Sequence, residues 1–243
     1  MDMEKIQQLK EIIEKSEKIV FFGGAGVSTE SGIPDFRSET GLYNAQKQYG
    51  RSPEEMLSNS FFTHYTETFF DYYKKNLIYT DAQPNKAHLA LAKLEEMGKL
   101  TGVVTQNIDG LHQLAGNKKV FELHGSVLRN VCMRCAAKYS LDGIMEMPGI
   151  PRCECGGIIK PDVVLYEEML DDNVVSGAIN AIRQADTMIV GGTSLVVYPA
   201  AGLIRYFKGK DLVLINKSQT SYDSQASLVI NESIGEVLSA CIL

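Results

Sequence analysis

The sequence lacks the features that mark membrane proteins and nucleic-acid-binding proteins. No apolar run approaches the ~20 residues that a membrane-spanning helix needs. Positive charge is not in excess, since 24 lysines and arginines stand against 30 aspartates and glutamates, so nucleic acid is not expected as a direct partner. The first residues show no basic segment followed by an apolar one, which is how a signal peptide begins. We therefore expect a cytoplasmic protein that does not act at a membrane.

Short apolar segments rich in β-branched residues alternate with helical patterns along the chain, without internal repeats or low-complexity tracts. Strands that are buried on both faces have this composition. The predicted strands are residues 18–22, 102–105, 120–123, 187–190, 212–215 and 228–230, and helical patterns lie at 6–13, 87–94, 175–182 and 200–207. The alternation predicts an α/β fold with a parallel sheet and helices on both of its faces.

Two segments break this alternation. Residues 37–84 are rich in aromatic side chains and predict a loop followed by helices, and residues 127–162 hold four of the five cysteines. We predict that these two insertions together form a small second domain. Residues 1–36, 85–126 and 163–243 are then expected to form the larger sheet domain.

The four cysteines stand in two close pairs: Cys132 with Cys135, and Cys153 with Cys155. Two pairs of thiolates suit a tetrahedral structural zinc site, and a closed set of four leaves no open position for catalysis on the metal. The second pair is one residue tighter than the common spacing, and Gly156 and Gly157 after it can relieve backbone strain. A redox dithiol is the alternative. The fifth cysteine, Cys241, is expected to pack as an apolar residue.

A glycine-rich run at residues 24–37, GAGVSTESGIPDFR, follows the first predicted strand. A strand that leads into a glycine-rich turn brings backbone N–H groups close to a phosphate. The dinucleotide-binding spacing of three glycines is only partly met, because Thr29 stands in the place of the third, so the spacing alone leaves nucleotide binding open. Phe36 and Arg37 come just past the turn, where a ring and a guanidinium could reach over a ligand.

Polar residues follow several other predicted strands, and ligands of open parallel sheets bind outside the carboxyl ends of strands. These residues are Gln106, Asn107, Asp109, His124, Thr193, Ser194 and Asn216. An imidazole that titrates near neutrality is a natural general base, which makes His124 the candidate. His112 lies on a helical pattern and is expected to be structural. Turns and helix caps use the same residue types and are the alternative for each motif taken separately.

In their order along the chain, these motifs resemble those of the sirtuins, the NAD-dependent protein-lysine deacylases, over nearly the whole sequence. The matching pieces are residues 24–37, 106–109 and 124–125, the two cysteine pairs, residues 192–194 and Asn216. The compact length is similar to that of the bacterial members. The resemblance implies a Rossmann-like large domain, a small zinc-ribbon and helical module with one structural zinc, and NAD bound between the two.

The resemblance also implies roles for individual residues. His124 would be the general base, and Asn107 would order water and the ribose. The residues that would contact NAD are Ala25, Thr29, Phe36, Arg37, Gln106, Ile108, Asp109, His124, Thr193, Ser194, Asn216 and Ile234. Of these, Thr193, Ser194 and Asn216 would bind the adenosine side, and Ile234 would lie near the adenine through its backbone. The substrate peptide would lie as an added strand beside Val163, Val164, Leu165 and Tyr166.

The implied reaction begins when the carbonyl oxygen of an acyl-lysine attacks the anomeric carbon of the nicotinamide ribose and nicotinamide leaves. His124 then acts as base on the ribose hydroxyls, and the products are free lysine, nicotinamide and O-acyl-ADP-ribose. The partners would be acetylated-lysine proteins or peptides, with nicotinamide as product and inhibitor. Sirtuins that prefer acidic acyl groups use a Tyr-x-x-Arg pair, which residues 72–76 (YYKKN) lack. Neutral acyl groups are therefore expected, although Lys75 could still attract a carboxylate.

Three other functions stay open from the sequence. Mono-ADP-ribosyl transfer to protein is the first, and a base acting on the ribose favours deacylation over it. A nicotinamide-dependent dehydrogenase would carry the third glycine and an acidic residue ~20 positions after the turn, conditions that Thr29 and the segment after Arg37 do not meet. A non-catalytic NAD-sensing module would bind NAD without releasing nicotinamide.

Overall fold

A computed structural model describes residues 2–35 and 46–243 of the chain. The strands are β1 (Ile19–Gly23), β2 (Leu100–Thr105), β3 (Val120–Glu122), β4 (Gly125–Cys132), β5 (Lys138–Ser140), β6 (Ile159–Val163), β7 (Thr187–Gly191), β8 (Asp211–Ile215) and β9 (Leu228–Ile230). The helices are α1 (Met3–Lys15), α2 (Pro53–Met56), α3 (Asn59–His64), α4 (Thr66–Asn76), α5 (Lys86–Glu96), α6 (Leu111–Leu114), α7 (Leu141–Met145), α8 (Asp172–Gln184) and α9 (Ile234–Ile242).

A six-stranded sheet in the order β3-β2-β1-β7-β8-β9 forms the larger part of the molecule. Every neighbouring pair in it is parallel. Counted along the chain within this sheet, the order is 3-2-1-4-5-6, which is the dinucleotide-binding arrangement of a Rossmann fold. The predicted α/β class is confirmed, and each predicted strand is found within two residues of its expected ends. The strand order reverses between β1 and β7, so their carboxyl ends open a crevice there.

Helices cover both faces of this sheet because successive strand side chains point to opposite faces. On β1, Phe21 packs into a core with α1, α5 and α9, whereas Phe22 packs into a second core with α8. Both side chains are fully buried. The helical pattern predicted at 200–207 also belongs to the second core, and the segment Ala200–Tyr206 forms a 3₁₀ helix rather than an α-helix.

The cysteine-bearing segment forms a three-stranded antiparallel sheet in the order β5-β4-β6. The individual strands of this sheet were not predicted from the sequence. A third core joins the sheet to α2, α3 and α4, with Phe61, Phe69 and Tyr73 packed beside Cys132 and Ile159. The shared core supports our proposal that residues 37–84 and 127–162 form one small domain.

No helix in the described part of the chain combines the length and the apolar character that crossing a membrane requires.

Candidate active site

The glycine-rich turn after β1 packs directly against the turn after β7. The amide of Gly26 donates to the carbonyl oxygen of Gly192 at 2.8 Å. A Cβ on Gly26 would lie 2.7 Å from the Cα of Gly192, and a Cβ on Gly192 would collide with the amide nitrogen of Val27. Gly192 also has a φ of +60°, in the left-handed region. The two backbones therefore meet without side chains between them, and Gly24, Ala25 and Gly192 line the cleft beside this contact.

Replacement of Gly192 with alanine is expected to lower the free energy of unfolding by roughly 2–4 kcal/mol, from left-handed strain plus the collision with Val27. The affinity for NAD should fall as well, because the turn must move. Gly98→Ala is the matched control, since Gly98 has a φ of +75° and open space around it. Thermal unfolding and NAD titration of both variants check this. Equal losses in the two variants would contradict the close-packing argument.

Three polar side chains from two loops form a hydrogen-bonded group on the floor of the crevice. The Asn107 Nδ2 donates to Ser28 Oγ at 3.0 Å, and Ser28 Oγ donates to Asp109 Oδ2 at 2.6 Å. The other carboxylate oxygen of Asp109 accepts from the amide of Leu111. Only 1% of Ser28 is exposed, so its hydroxyl holds the two loops in register. Ser28 was not predicted as a site residue, and only its position in the glycine-rich run at residues 24–37 could have indicated its role.

A second group links the turns after β2, β7 and β8. The Gln106 Nε2 donates to Thr193 Oγ1 at 3.1 Å, and the amide of Thr193 donates to Asn216 Oδ1 at 2.9 Å. Asn216 is buried, and its Nδ2 has no hydrogen-bond partner in the described part of the chain. An unsatisfied buried amide is costly unless a ligand completes it. The residues present therefore fit a ligand rich in oxygen acceptors, such as a nucleotide.

His124 follows β3 and lines the same cleft. Its Nδ1 lies 3.0 Å from the carbonyl oxygen of Gln106. A carbonyl oxygen can only accept, so Nδ1 carries the hydrogen and Nε2 is the basic nitrogen of the neutral ring. The backbone fixes the residue further, because the His124 carbonyl accepts from the amide of Val164 at 3.0 Å. The arrangement gives an oriented base at the strand end.

The other described histidines have different surroundings. His88 and His112 are buried, with ring centroids 4.7 Å apart. Burial lowers the pKa of His88 to about 4 and that of His112 to about 3, so both rings are uncharged at neutral pH. His64 lies on the surface of α3 and its ring contacts the carbonyl oxygen of Ser60. These placements agree with the structural role expected for His112.

One cleft brings most of the sequence-predicted site residues together. Those that line it are Ala25, Gln106, Asn107, Ile108, Asp109, His124, Val163, Val164, Leu165, Tyr166, Thr193 and Ser194. Three others stand apart from its wall: Thr29 is exposed, Asn216 lies behind Thr193, and Ile234 packs against Gly191. The remaining two, Phe36 and Arg37, lie outside the described residues.

The expected peptide-binding segment is held by three backbone contacts of its own. The amide of Val164 donates to His124, that of Leu165 to a carboxylate oxygen of Glu168, and that of Tyr166 to the carbonyl of Leu57. A peptide added beside this segment therefore finds no donor in these three amides.

The four cysteines of the small module come together as the zinc prediction requires. Their Sγ atoms all lie within 4.8 Å of one another, and the Cys132–Cys155 and Cys135–Cys153 pairs are each 3.5 Å apart. Sulfurs bound tetrahedrally at ~2.3 Å from zinc are about 3.8 Å apart, so the cluster fits that ion. Gly156 has a φ of +84°, which agrees with its expected role after the tight pair.

Comparison with known proteins identifies the family. The Sir2 family model matches residues 24–199. An NAD-dependent protein deacetylase of Clostridium perfringens is 66% identical over 241 residues, 98% of this chain and 99% of that protein. One of Clostridium acetobutylicum is 60% identical over 242 residues, 99% of each chain.

Solved structures agree with this match. A Sir2 variant with a deacetylated p53 peptide and 3′-O-acetyl ADP ribose superposes with a TM-score of 0.88 at 38% identity, covering 98% of this chain and 99% of that one. A Sir2 homologue bound to NAD also gives a TM-score of 0.88, at 37% identity over 97% and 91% of the two chains. The resemblance inferred from the motifs is confirmed, and the chain belongs to the Sir2 family.

Proposed function

We propose that this chain is an NAD-dependent protein-lysine deacetylase that releases nicotinamide and transfers the acetyl group to ADP-ribose. The observation that carries this proposal is the position of His124, an oriented base in the same cleft as the glycine turns and the Asn107 group. Relatives at 66% and 60% identity carry the name NAD-dependent protein deacetylase, which supports the same activity here.

NAD, when bound, supplies an anomeric carbon with a good leaving group, nicotinamide. We propose that its phosphates lie at the turns after β1 and β7, where Gly24, Ala25 and Gly192 line the cleft. Asn216 Nδ2 is the buried donor available for the adenosine side. We propose that Ser28 and Asp109 orient the nicotinamide side, because their hydrogen-bonded pair lies on the cleft floor.

The chain's own contribution to the chemistry is proton transfer and exclusion of water. Nε2 of His124 accepts a proton from a ribose hydroxyl while Nδ1 keeps its hydrogen bond to Gln106. Asn107, held by Ser28 and by Thr105 through its amide, keeps its side chain fixed near the reacting atoms. Apolar side chains such as Ile33, Ile108 and Val164 line the cleft and exclude water from them.

The zinc of the four cysteines has a structural part in this proposal. A closed set of four thiolates cross-links the end of β4 to the segment before β6 and leaves no position for substrate. The module in turn supports α2 to α4 through the shared core. We propose that the substrates are acetylated-lysine peptides or proteins bound along the wall at Val164.

The test of the proposed function follows nicotinamide and peptide mass in parallel after NAD is added to the protein and an acetyl-lysine peptide. One nicotinamide released for each acetyl group lost establishes deacetylation. Label from a biotinylated NAD that stays on protein, without acetyl loss, indicates ADP-ribosyl transfer instead. NAD binding without nicotinamide release indicates a sensing module.

Acyl-group preference follows from the charges of the cleft wall. The lining includes Asp35, Asp109, Glu167 and Glu168, and no lysine or arginine among residues 2–35 and 46–243 lines it. Glu168 is paired with Lys160 behind the wall at 3.1 Å, so the other three carboxylates give the wall its negative charge. The two lysines near the position of the Tyr-x-x-Arg pair point elsewhere. Lys74 donates to the carbonyl oxygen of Met147, and Lys75 pairs with Asp71 on the surface of α4.

A succinyl-lysine peptide is therefore expected to be processed with a kcat/KM at least about a hundredfold below that of the acetyl peptide, because its carboxylate enters a wall of like charge. Asn76 lines the cleft at the end of α4. Asn76→Arg should raise the succinyl rate about tenfold by supplying a cation, whereas Lys75→Ala, as matched control, should leave the ratio unchanged. Peptide kinetics measure both. Efficient desuccinylation by the unaltered protein would refute the charge argument.

A further inference from the structure

Arg129 on β4 joins two elements that belong to different sheets. Its Nη1 donates to Glu122 Oε2 at 2.6 Å and its Nε donates to Asp162 Oδ2 at 2.8 Å. Glu122 is the last residue of β3 in the parallel sheet. Asp162 is in β6 of the antiparallel sheet. One guanidinium therefore bridges the large sheet and the zinc module.

Both carboxylates lie next to active-site residues along the chain. Glu122 precedes His124 by two residues. Asp162 directly precedes the segment that is expected to bind the peptide, residues 163–166, which we call the peptide wall. The backbone after Glu122 and the backbone after Asp162 are in close contact. A Cβ on Gly125 would collide with the carbonyl oxygen of Asp162, and the amide of Val164 donates to the carbonyl of His124. A shift of β6 relative to β3 would therefore change the position of His124 relative to the peptide wall.

The guanidinium of Arg129 pairs with both carboxylates at once. The side chain of Glu122 is only 9% exposed, and it needs a cation beside it. The Arg129 and Asp162 side chains are about half exposed. Arginine offers several donors in a planar fork and can hold two carboxylates at once, which the single ammonium of lysine does less well.

We propose that Arg129 is a positioning residue that sets the distance between His124 and the peptide wall at Val163 and Val164. This inference rests on the proposed deacetylase function, since it assigns the substrate peptide to that wall. About half of the Arg129 side chain is exposed, so its replacement leaves no cavity in a core. Its loss should therefore loosen the junction of the two sheets while the cores keep the fold.

The test compares Arg129→Gln with Arg129→Lys and with Arg183→Gln. Arg183 is the matched control, an exposed arginine on α8 that stacks over Tyr206 outside the cleft. The measurements are the dissociation constant of a fluorescent acetyl-lysine peptide, the KM for NAD, the zinc content and the melting temperature. Peptide binding is read without turnover, so it does not depend on catalysis.

Arg129→Gln is expected to weaken peptide binding about fivefold or more, the loss of roughly one well-formed ion pair, with zinc content and the KM for NAD unchanged. Arg129→Lys should restore part of the affinity, and Arg183→Gln should match the unaltered protein. Asp162→Asn should weaken peptide binding by a smaller factor in the Arg129→Gln background than in the unaltered protein, because both residues act through one bridge.

Unchanged peptide affinity in Arg129→Gln overturns the positioning role. So does a variant that loses zinc and NAD affinity together with peptide affinity, since the role is then support of the fold. If the unaltered protein binds the peptide but removes no acetyl group, the proposed function fails while the effect of Arg129 on the wall still stands. If it binds no acetyl-lysine peptide, both proposals fail.

Discussion

Replacement of His124 with alanine is expected to lower the rate of acetyl loss from an acetyl-lysine peptide about a thousandfold, the central value for removal of a positioned general base. The residue is held at both ends for this task. Its Nδ1 donates to the carbonyl oxygen of Gln106 and its own carbonyl accepts from Val164, so the ring is oriented with Nε2 as its basic nitrogen. The glycine turns where we propose that the phosphates bind make their contacts with each other and not with the imidazole. The KM for NAD should therefore change little while kcat falls.

The matched control is His64→Ala, which removes an exposed histidine of α3 whose Nδ1 lies 2.7 Å from the carbonyl oxygen of Ser60 in the same helix. Its activity should equal that of the unaltered protein. Peptide mass spectrometry with melting temperatures for both variants checks the prediction. A His124→Ala protein that is folded and keeps more than about a tenth of the activity has another base, since a positioned base contributes at least ~10²-fold.

The assembly of the cleft could be predicted from the sequence because parallel strands place their carboxyl ends at one edge. Gln106 and Thr193 are 87 residues apart in the chain and form a hydrogen bond in the structure. Each follows an apolar run rich in β-branched residues, and such runs identify buried parallel strands without knowledge of the fold. Once the strands were located, the polar residues after them had to meet.

Contacts that depend on neighbours distant in sequence could not be predicted in this way. The amide of Tyr166 is bound by Leu57, more than a hundred residues earlier, and no local pattern indicates that pairing. Ser28 is one hydroxyl in a run of small residues, and only its bonds to Asn107 and Asp109 show its role. Strand β5 spans only Lys138–Ser140 and buries none of its residues fully, so its periodicity is too short to identify.

Ile234 and Asn216 are not among the described residues that line the cleft. Ile234 is 3% exposed and packs against Gly191, where a Cβ would meet it. Asn216 supports Thr193 through its Oδ1 and offers only Nδ2 to a ligand. A motif locates such residues near the nucleotide, but side-chain packing decides whether they contact it directly or hold a residue that does. Their assignment as direct NAD contacts stays a prediction.

Substitution of Cys132 with serine is expected to reduce bound zinc from about one ion per chain to nearly none and to unfold the small module, since structural zinc contributes ~10 kcal/mol or more to comparable small domains. Cys132 is 2% exposed and shares its core with Phe69, Tyr73 and Ile159. Loss of the ion therefore leaves the three remaining thiols of the cluster without their cross-link and releases α4 from the sheet. Deacetylase activity should be lost with the peptide wall that β6 supports.

The two cores of the parallel sheet contain none of the four clustered cysteines, so the Cys132→Ser protein should keep much of its helical signal and melt in two steps rather than one. Cys241→Ser is the matched control. That thiol packs against the core of α1 and α9, where burial raises its pKa to about 11, and its loss should leave zinc content and activity unchanged. Metal analysis, melting curves and the peptide assay measure these outcomes together. A reducing agent separates zinc from the redox alternative: a structural zinc site keeps its ion and activity under reduction, whereas a purified protein that is metal-free, folded and inactivated by reduction has a disulfide in its place.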